Sequence, residues 1–169
     1  MGTTWRLART CRVEADVAAP ADAVWRVVSD VTRTGEWSHE CHAVRWIGGV
    51  SSAAPGARFR GGNQAHWWRW SRTNEVTEVD PGRTIAWRTI PTWRFVDSTE
   101  WRITLEQGPT GTHVEQTYEV VRCPRWWEWV VVHVIPPHRD RTAARAADLH
   151  RIGEVAAAQI TASGSTEAP

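Results

Sequence analysis

Alternation of apolar and polar residues in the segment 10–17 predicts a half-buried β-strand near the start of the chain. Its apolar positions are Cys11, Val13, Ala15 and Val17. After Pro20 the period changes, because the valines at 24, 27, 28 and 31 recur at helical spacing. Asp30 suits the cap of a short second helical turn that ends near Trp37. One strand and two short helices therefore open the domain.

Residues from about 38 to 122 return to a period of two, which is typical of strands. Turn signals divide this region at Gly48-Gly49, Pro55-Gly56, Asp80-Pro81-Gly82 and Gly108–Gly111. The spacing of these turns predicts six more strands in an antiparallel meander.

The stretch from about 137 to 161 is rich in Ala and Arg and predicts a long amphipathic helix. Its apolar stripe consists of Leu149, Ile152, Ala156 and Ile160. Pro136 and Pro137 should begin or kink this helix. The polar tail 162–169 predicts disorder. We therefore expect one α+β domain over residues 8–161, with the last helix covering the concave face of the sheet.

Composition narrows the classes of function. The chain has 169 residues and a net charge of +1, which is too little to attract nucleic acid. It contains no lysine, which excludes Schiff-base chemistry through a lysine amine. Its three cysteines are widely spaced and fit a reducing cytoplasm. The longest apolar run, 126–135, is about half of what a bilayer-spanning helix requires.

The segment AHWWRWSR, residues 65–72, places tryptophan and arginine on a predicted strand. Alternation puts Trp68, Trp70, Arg72 and Asn74 on the inward face. The inward positions of the neighbouring strands include Phe59, Asn63, Trp87, Trp101, Gln116 and Tyr118. We expect these side chains to form a binding cavity lined by rings and a few polar tips.

Arg72 is the most unusual of these inward residues, because an unpaired buried guanidinium is costly. No inward strand position carries an acid to pair with it. Arg72 should therefore contact water in an open pocket, Glu40, or an acidic or carbonyl group of a ligand.

Two other segments carry candidate chemistry. SHECHAV brings together His39, Glu40, Cys41 and His42, which raises a weak case for a metal site or an activated thiolate. We expect neither a metal nor an organic cofactor. The second segment holds Trp126, Trp127 and Trp129, which either clamp the last helix or form a lip that contacts a membrane or a carrier protein.

The order of elements, with PADAVWRVVSDVTRTGEW, APGARFRGGN, STEWRITLE and GTHVEQTYE, resembles the START-like superfamily also called SRPBCC. The chain is most similar to its polyketide cyclase/dehydrase and lipid-transport branch. This resemblance implies a helix-grip fold, in which a curled seven-stranded antiparallel sheet wraps around the C-terminal helix and encloses a deep cavity.

Aromatase/cyclase members of this branch carry tryptophans followed by an inward Ser and Arg, with a Tyr near the second helix. This chain has Arg72 and Asn74 in place of that Ser and Arg, and His39, Cys41 or His42 in the region of that Tyr. Trp37, Trp70 and Trp101 match aromatic residues that line the cavity in those members. The polar set differs, so their catalytic assignment does not carry over intact.

Three functions follow as expectations. The first is binding of a small hydrophobic or aromatic, polyketide-like compound. The second is a cofactor-free cyclase/dehydratase, in which Arg72 and Asn74 stabilise an enolate, Tyr118 or His39 moves the proton, and an acyl carrier protein delivers the chain. The third is a lipid carrier that docks on membranes through the tryptophans at 126, 127 and 129. We expect a monomer or a homodimer.

Overall fold

The computed structural model describes residues 6–65, 67–134 and 142–165, with side chains up to residue 162. Four α-helices and seven strands occur in these ranges. In chain order they are β1 (Thr10–Val17), α1 (Ala21–Ser29), a 3₁₀ turn (Val31–Arg33), α2 (Thr34–Trp37), β2 (Cys41–Ile47), β3 (Arg58–Ala65), β4 (Trp68–Asp80), β5 (Thr84–Thr89), β6 (Ser98–Gln107), β7 (Thr112–Arg122), α3 (Arg125–Val134) and α4 (Thr142–Ser165).

All seven strands form one antiparallel sheet in the order β1-β7-β6-β5-β4-β3-β2. Consecutive strands pair from β2 to β7, and β1 pairs with β7, so β1 and β2 are the edges. The predicted α+β helix-grip architecture is confirmed, including the six strands of the meander and the two short helices after β1.

Three register shifts bend the sheet. They lie between Cys41 and Ala43 on β2, between Val76 and Glu78 on β4, and at the start of β6 opposite Val121. An extra residue in one strand increases local twist and curl. The shift on β4 also changes the side-chain alternation, so that Val76 and Val79 both pack against the core.

The apolar stripe of α4 packs into the curled sheet. Leu149, Ile152 and Ala156 are fully buried, together with the valines of α1 and β1. The prediction was wrong for Ile160, which is 44% exposed. The reason is that the end of α4 has left the core, since residues 161 and 162 are exposed as well.

The described part of the C-terminal region contains two helices, whereas the sequence pattern predicted one. α3 occupies residues that the sequence pattern left before the long helix, and α4 begins at Thr142 and continues to Ser165. The predicted effect of Pro136 and Pro137 lies outside the described residues, as do the last four residues of the tail. No helix in the described ranges is long and apolar enough to cross a membrane.

Gly153 sets the closest approach between α4 and the sheet. A Cβ added there would lie 2.7 Å from Cβ and 2.8 Å from Cγ1 of Val17 on β1. Contacts this short force one of the two elements to move. The helix can therefore lie directly on β1 only because position 153 has no side chain.

We expect Gly153→Ala to lower the free energy of unfolding by about 1–3 kcal/mol, the usual cost of overpacking a core. Alanine is otherwise the better helix former by about 1 kcal/mol, so the steric contact must reverse that preference. Urea unfolding measures the change. Ala158→Gly, at an exposed position of the same helix, is the control and should lose about 1 kcal/mol. A stabilised Gly153→Ala protein would contradict the proposed contact.

Candidate functional site

A cavity of about 210 Å³ lies between the concave face of the sheet and the helices that cover it. All twelve residues predicted to bind a ligand line it. They are Trp37, Glu40, Phe59, Asn63, Trp68, Trp70, Arg72, Asn74, Trp87, Trp101, Gln116 and Tyr118. Ten of these twelve residues lie on strands, whereas Trp37 is on α2 and Glu40 precedes β2.

Nine of the described aromatic residues line this wall, and several of their rings contact other rings mainly by their edges. Phe59 meets Trp87 at 6.3 Å between ring centroids and Trp46 at 5.8 Å. Trp101 and Tyr118 lie 5.0 Å apart on the paired strands β6 and β7. Such contacts hold the rings in place, so their faces form a fixed apolar surface.

Arg72 is held by Asp97, which precedes β6. Its Nη1 donates to both carboxylate oxygens of Asp97, at 3.2 and 3.0 Å, and its Nη2 donates to the Asp97 backbone oxygen at 2.9 Å. Trp127 Nε1 on α3 donates to the same carboxylate at 2.9 Å. The Arg72 guanidinium also lies 5.2 Å from the ring centroid of Phe95. This cluster joins β4, the β5–β6 connection and α3.

The expectation of an Arg72–Glu40 pair is therefore wrong, and Asp97, which is not at a strand position, was not among the partners expected for Arg72. Asp97 was missed because it lies in a connection, where strand alternation gives no direction for a side chain. Its distance of 25 residues from Arg72 gave no local signal either.

A second charged cluster centres on Asp148 of α4, which is fully buried. Its carboxylate accepts from His39 N at 2.9 Å and pairs with His39 Nδ1 at 2.7 Å. Arg151 also donates to it and donates from Nε to the backbone oxygen of Trp37 at 2.8 Å. Asp148 therefore fixes α4 to the segment between α2 and β2.

Arg145, one turn earlier on α4, belongs to the same cluster and lines the cavity. Its Nη1 lies 3.8 Å from Asp148, and its Nη2 lies 3.7 Å from Glu40. The guanidinium also sits 4.5 Å from the ring centroid of Trp101. Sequence reasoning missed Arg145 and Asp148, although their i,i+3 spacing next to the buried Leu149 was an available signal.

The four candidate catalytic residues all have protein partners. Arg72 pairs with Asp97, and His39 pairs with Asp148 and is not among the residues that line the cavity. Asn74 Oδ1 accepts from Thr89 Oγ1 at 3.0 Å, and the Tyr118 hydroxyl donates to the backbone oxygen of Ala8 at 3.2 Å. Their positions are thus held by the fold itself.

Buried polar atoms of the cavity wall that have no hydrogen-bond partner among the described residues include Nε of Arg72, Nε1 of Trp37, which is a donor, and Oε1 of Gln116, which is an acceptor. The side chains of Trp37 and Gln116 are each 3% exposed and line the cavity. Buried polar groups without hydrogen bonds are uncommon in proteins, so these atoms mark where a guest with polar groups gains most.

The segment SHECHAV does not form an activated thiolate. Burial raises the pKa of the Cys41 thiol to about 11, and burial also raises that of Cys123 to about 11. Both thiols are therefore neutral at ordinary pH, and the thiolate alternative for Cys41 is wrong. In the part of the chain that the structure describes, no three His, Cys, Asp or Glu side chains are grouped to suit a metal ion.

The tryptophans of α3 have different environments. Trp127 lines the cavity and packs against Phe95 at 6.1 Å between centroids. Trp126 and Trp129 are 60% and 59% exposed. Trp127 therefore acts as the clamp in that region, whereas its two neighbours present their rings to the surroundings.

We expect Asp97→Ala to lower the free energy of unfolding by about 2–3 kcal/mol, because it leaves Arg72 and Trp127 Nε1 without their acceptor. Breaking a fully buried pair costs about 3–5 kcal/mol. The smaller figure applies here because the side chains of Arg72 and Asp97 remain 14% and 19% exposed.

A double-mutant cycle with Arg72→Met and Asp97→Ala measures the coupling, which should exceed about 1 kcal/mol. The matched control is the more exposed pair of Arg88 and Glu100 across β5 and β6, at 2.6 Å, which should couple by less than about 1 kcal/mol. Equal coupling in the two cycles would show that the Arg72 cluster does not hold the fold together.

Comparison with known proteins assigns this chain to a family. The family model described as "Polyketide cyclase / dehydrase and lipid transport" matches residues 8–149. No curated protein sequence matches the chain.

Solved structures support the assignment at the level of the fold. The Zhui aromatase/cyclase from Streptomyces sp. R1128 superposes with a TM-score of 0.69 at 21% identity, over 92% of this chain and 98% of that one. Protein TTHA0849 from Thermus thermophilus has a TM-score of 0.64 at 15% identity, over 89% and 98%. Protein MLL2253 from Mesorhizobium loti has a TM-score of 0.59 at 20% identity, over 87% and 96%. The chain belongs to the polyketide cyclase/dehydrase and lipid transport family.

Proposed function

We propose that this protein binds a small, neutral, largely apolar ring compound that carries a carbonyl or hydroxyl group. The observation that carries the proposal is that the charged side chains lining the cavity pair with opposite charges of the protein. Among the described residues these are Arg72 with Asp97 and Arg145 with Glu40.

A carboxylate ligand would fit this wall poorly. The guanidinium of Arg72 already donates to three oxygens of Asp97, two of them on the carboxylate. An anion in the cavity would have to displace Asp97 or remain unpaired in an apolar surrounding, which is expensive. Of the acidic or carbonyl group that the sequence suggested near Arg72, the proposal therefore keeps a neutral polar group and drops the acid.

The polar end of the ligand is best placed near Trp37 and Gln116. A carbonyl oxygen can accept from Trp37 Nε1, and a hydroxyl can donate to Gln116 Oε1, which satisfies both buried atoms. The tryptophan faces supply the contacts with the rest of the ligand.

The volume favours a ligand of one or two rings. An apolar cavity of about 150 Å³ in another protein holds benzene, and pockets for drug-sized ligands are about 300–1,000 Å³. At about 210 Å³ this cavity lies between the two. A longer polyketide chain would extend beyond it.

A cyclase/dehydratase acting on a poly-β-keto chain is the second candidate, and Glu40 favours it. Its carboxylate lines the cavity 3.7 Å from Arg145 and is the side chain best placed to remove a proton next to a ketone. Arg145 would then face the developing enolate. If so, Glu40→Gln should abolish turnover of a poly-β-keto substrate, delivered free or on an acyl carrier protein, without loss of ligand binding.

Three probes of equal ring size test the proposed ligand class: naphthalene, 1-naphthol and 1-naphthoate. We expect 1-naphthol to bind tightest and 1-naphthoate at least about tenfold more weakly, a difference of about 1.4 kcal/mol. Tryptophan fluorescence and calorimetry at neutral pH measure the affinity for each probe. Tighter binding of 1-naphthoate would show that a cationic group is open to anions, and no binding of any probe would overturn the function itself.

Neighbouring positions on β4 provide matched variants for the same titration. Trp70→Leu removes part of the cavity wall and should weaken 1-naphthol binding about tenfold. Arg69→Leu changes the next residue, whose side chain is exposed and bonded to Gln64, and should leave binding unchanged.

The cysteines give an independent test of occupancy. Cys41 and Cys123 line the cavity, whereas Cys11 does not. We expect 1-naphthol to slow iodoacetamide labelling of Cys41 and Cys123 at about pH 9, near the ordinary thiol pKa of 9.0, and to leave Cys11 unchanged. Peptide mass spectrometry assigns the sites. Equal protection of all three would indicate a global effect on stability.

The same two thiols predict how stability depends on pH. Because their pKa in the folded state, about 11, lies above the ordinary thiol value of 9.0, the folded protein binds more protons in this range. Their contribution to stability is present below pH 9 and is lost as the pH rises towards 11. Urea unfolding should show this loss, and Cys41→Ala should reduce it.

A further inference from the structure

Four tryptophans of this chain are too exposed to belong to its hydrophobic core. Trp93 is 90% exposed, Trp67 85%, Trp126 60% and Trp129 59%. Large apolar side chains that are grouped on a surface mark a contact with another molecule. We call these four residues, with Arg94, Arg122 and Arg125, the Trp–Arg rim.

Sheet topology places the rim at one end of the molecule. Trp67 precedes β4, and Ala65 pairs with Trp68, so Trp67 lies in the tight connection between β3 and β4. β5 runs antiparallel to β4 and ends at Thr89 opposite Asn74, so the connection with Trp93 continues towards the same end. Ser98 pairs with Arg122, which brings the start of α3 there as well.

Each segment of the rim also contributes to the cavity. Trp67 contacts Trp68 at 5.6 Å between centroids, and Trp126 contacts Trp127 at 5.6 Å. Trp68, Phe95 and Trp127 line the cavity. The exposed rings therefore lie next to cavity-wall residues on the same three segments.

The charge of the rim is positive. Arg94, Arg122 and Arg125 are exposed. The two acids of the same segments are engaged elsewhere, because Asp97 pairs with Arg72 and Glu128 pairs with Arg9 at 2.7 Å. No carboxylate among the described residues forms an ion pair with the three arginines of the rim. The surface therefore complements an anionic partner.

We propose that the Trp–Arg rim docks on the surface of an anionic lipid bilayer. Indole rings prefer the headgroup region, where the apolar ring meets acyl chains and the N–H meets water. Arginines near an anionic leaflet add about 1 kcal/mol each, and this attraction weakens with salt. Exposed rings on three separate segments can enter a soft interface together, whereas a protein partner would need a matching pocket for each ring.

Sedimentation with vesicles tests the proposal, using phosphatidylcholine alone and with about 30% phosphatidylserine. We expect at least tenfold stronger binding to the anionic vesicles, and loss of this difference in high salt. Bromine-labelled lipids should quench tryptophan fluorescence, because the rings lie at the acyl boundary. The double variant W93S/W126S should lose most of the binding and most of the quenching.

Charge and ring contributions are separated by further variants. R94S/R125S should reduce binding to the anionic vesicles only. The matched control is R45S/R83S, which removes two exposed arginines outside the rim and should leave vesicle binding within about twofold of the unchanged chain. Binding of 1-naphthol, measured on the same variants, reports on the cavity, so failure of docking and failure of the proposed function remain distinguishable.

Three outcomes overturn the proposal. One is absence of binding to anionic vesicles. Another is an equal loss in the R45S/R83S control, which would indicate attraction by overall charge. The third is rim-dependent binding to poly-glutamate in place of vesicles, which would identify an acidic polypeptide as the partner.

Discussion

The requirement that a buried charge meet an opposite charge determines how the covering elements lie on this sheet. Asp97 is the clearest case, because its carboxylate receives Arg72 from β4 and Trp127 from α3. Removing one partner from such a pair leaves a charge in an apolar surrounding. Asp97 therefore makes β4, the β5–β6 connection and α3 stabilise one another. Asp148 has the same role on α4, where it binds His39 and Arg151.

These two clusters explain why the interior is hollow as well as why it is neutral. Paired groups hold α3 against β4 and α4 against the segment between α2 and β2, and aromatic rings of the cavity wall contact one another. Rigid rings held in this way cannot collapse to fill the remaining space. The guanidinium of Arg145 completes this arrangement by lying over Trp101.

The sequence predicts those parts of the molecule that have a period. Strand alternation identified the inward face of β4, including Trp70 and Arg72, and the order of elements indicated the helix-grip fold. It could not place Asp97, since a side chain in a connection follows no alternation. It also assigned no helix to the residues of α3. The partners of Arg72 and Glu40 depend on contacts between distant segments, which no local pattern contains.

Many tryptophans of this chain have one of two roles, and the role of each depends on where the residue lies in the fold. Four of the five tryptophans on the described strands line the cavity, Trp70 among them, whereas Trp93 in a connection and Trp126 on α3 are exposed. A neutral apolar ligand dissolves in a bilayer better than in water. A cavity of balanced charge, with wall residues Trp68 and Trp127 in contact with rings suited to the headgroup region, would receive such a compound from the bilayer surface. The proposed ligand class and the proposed docking surface therefore support each other, although each is carried by different residues.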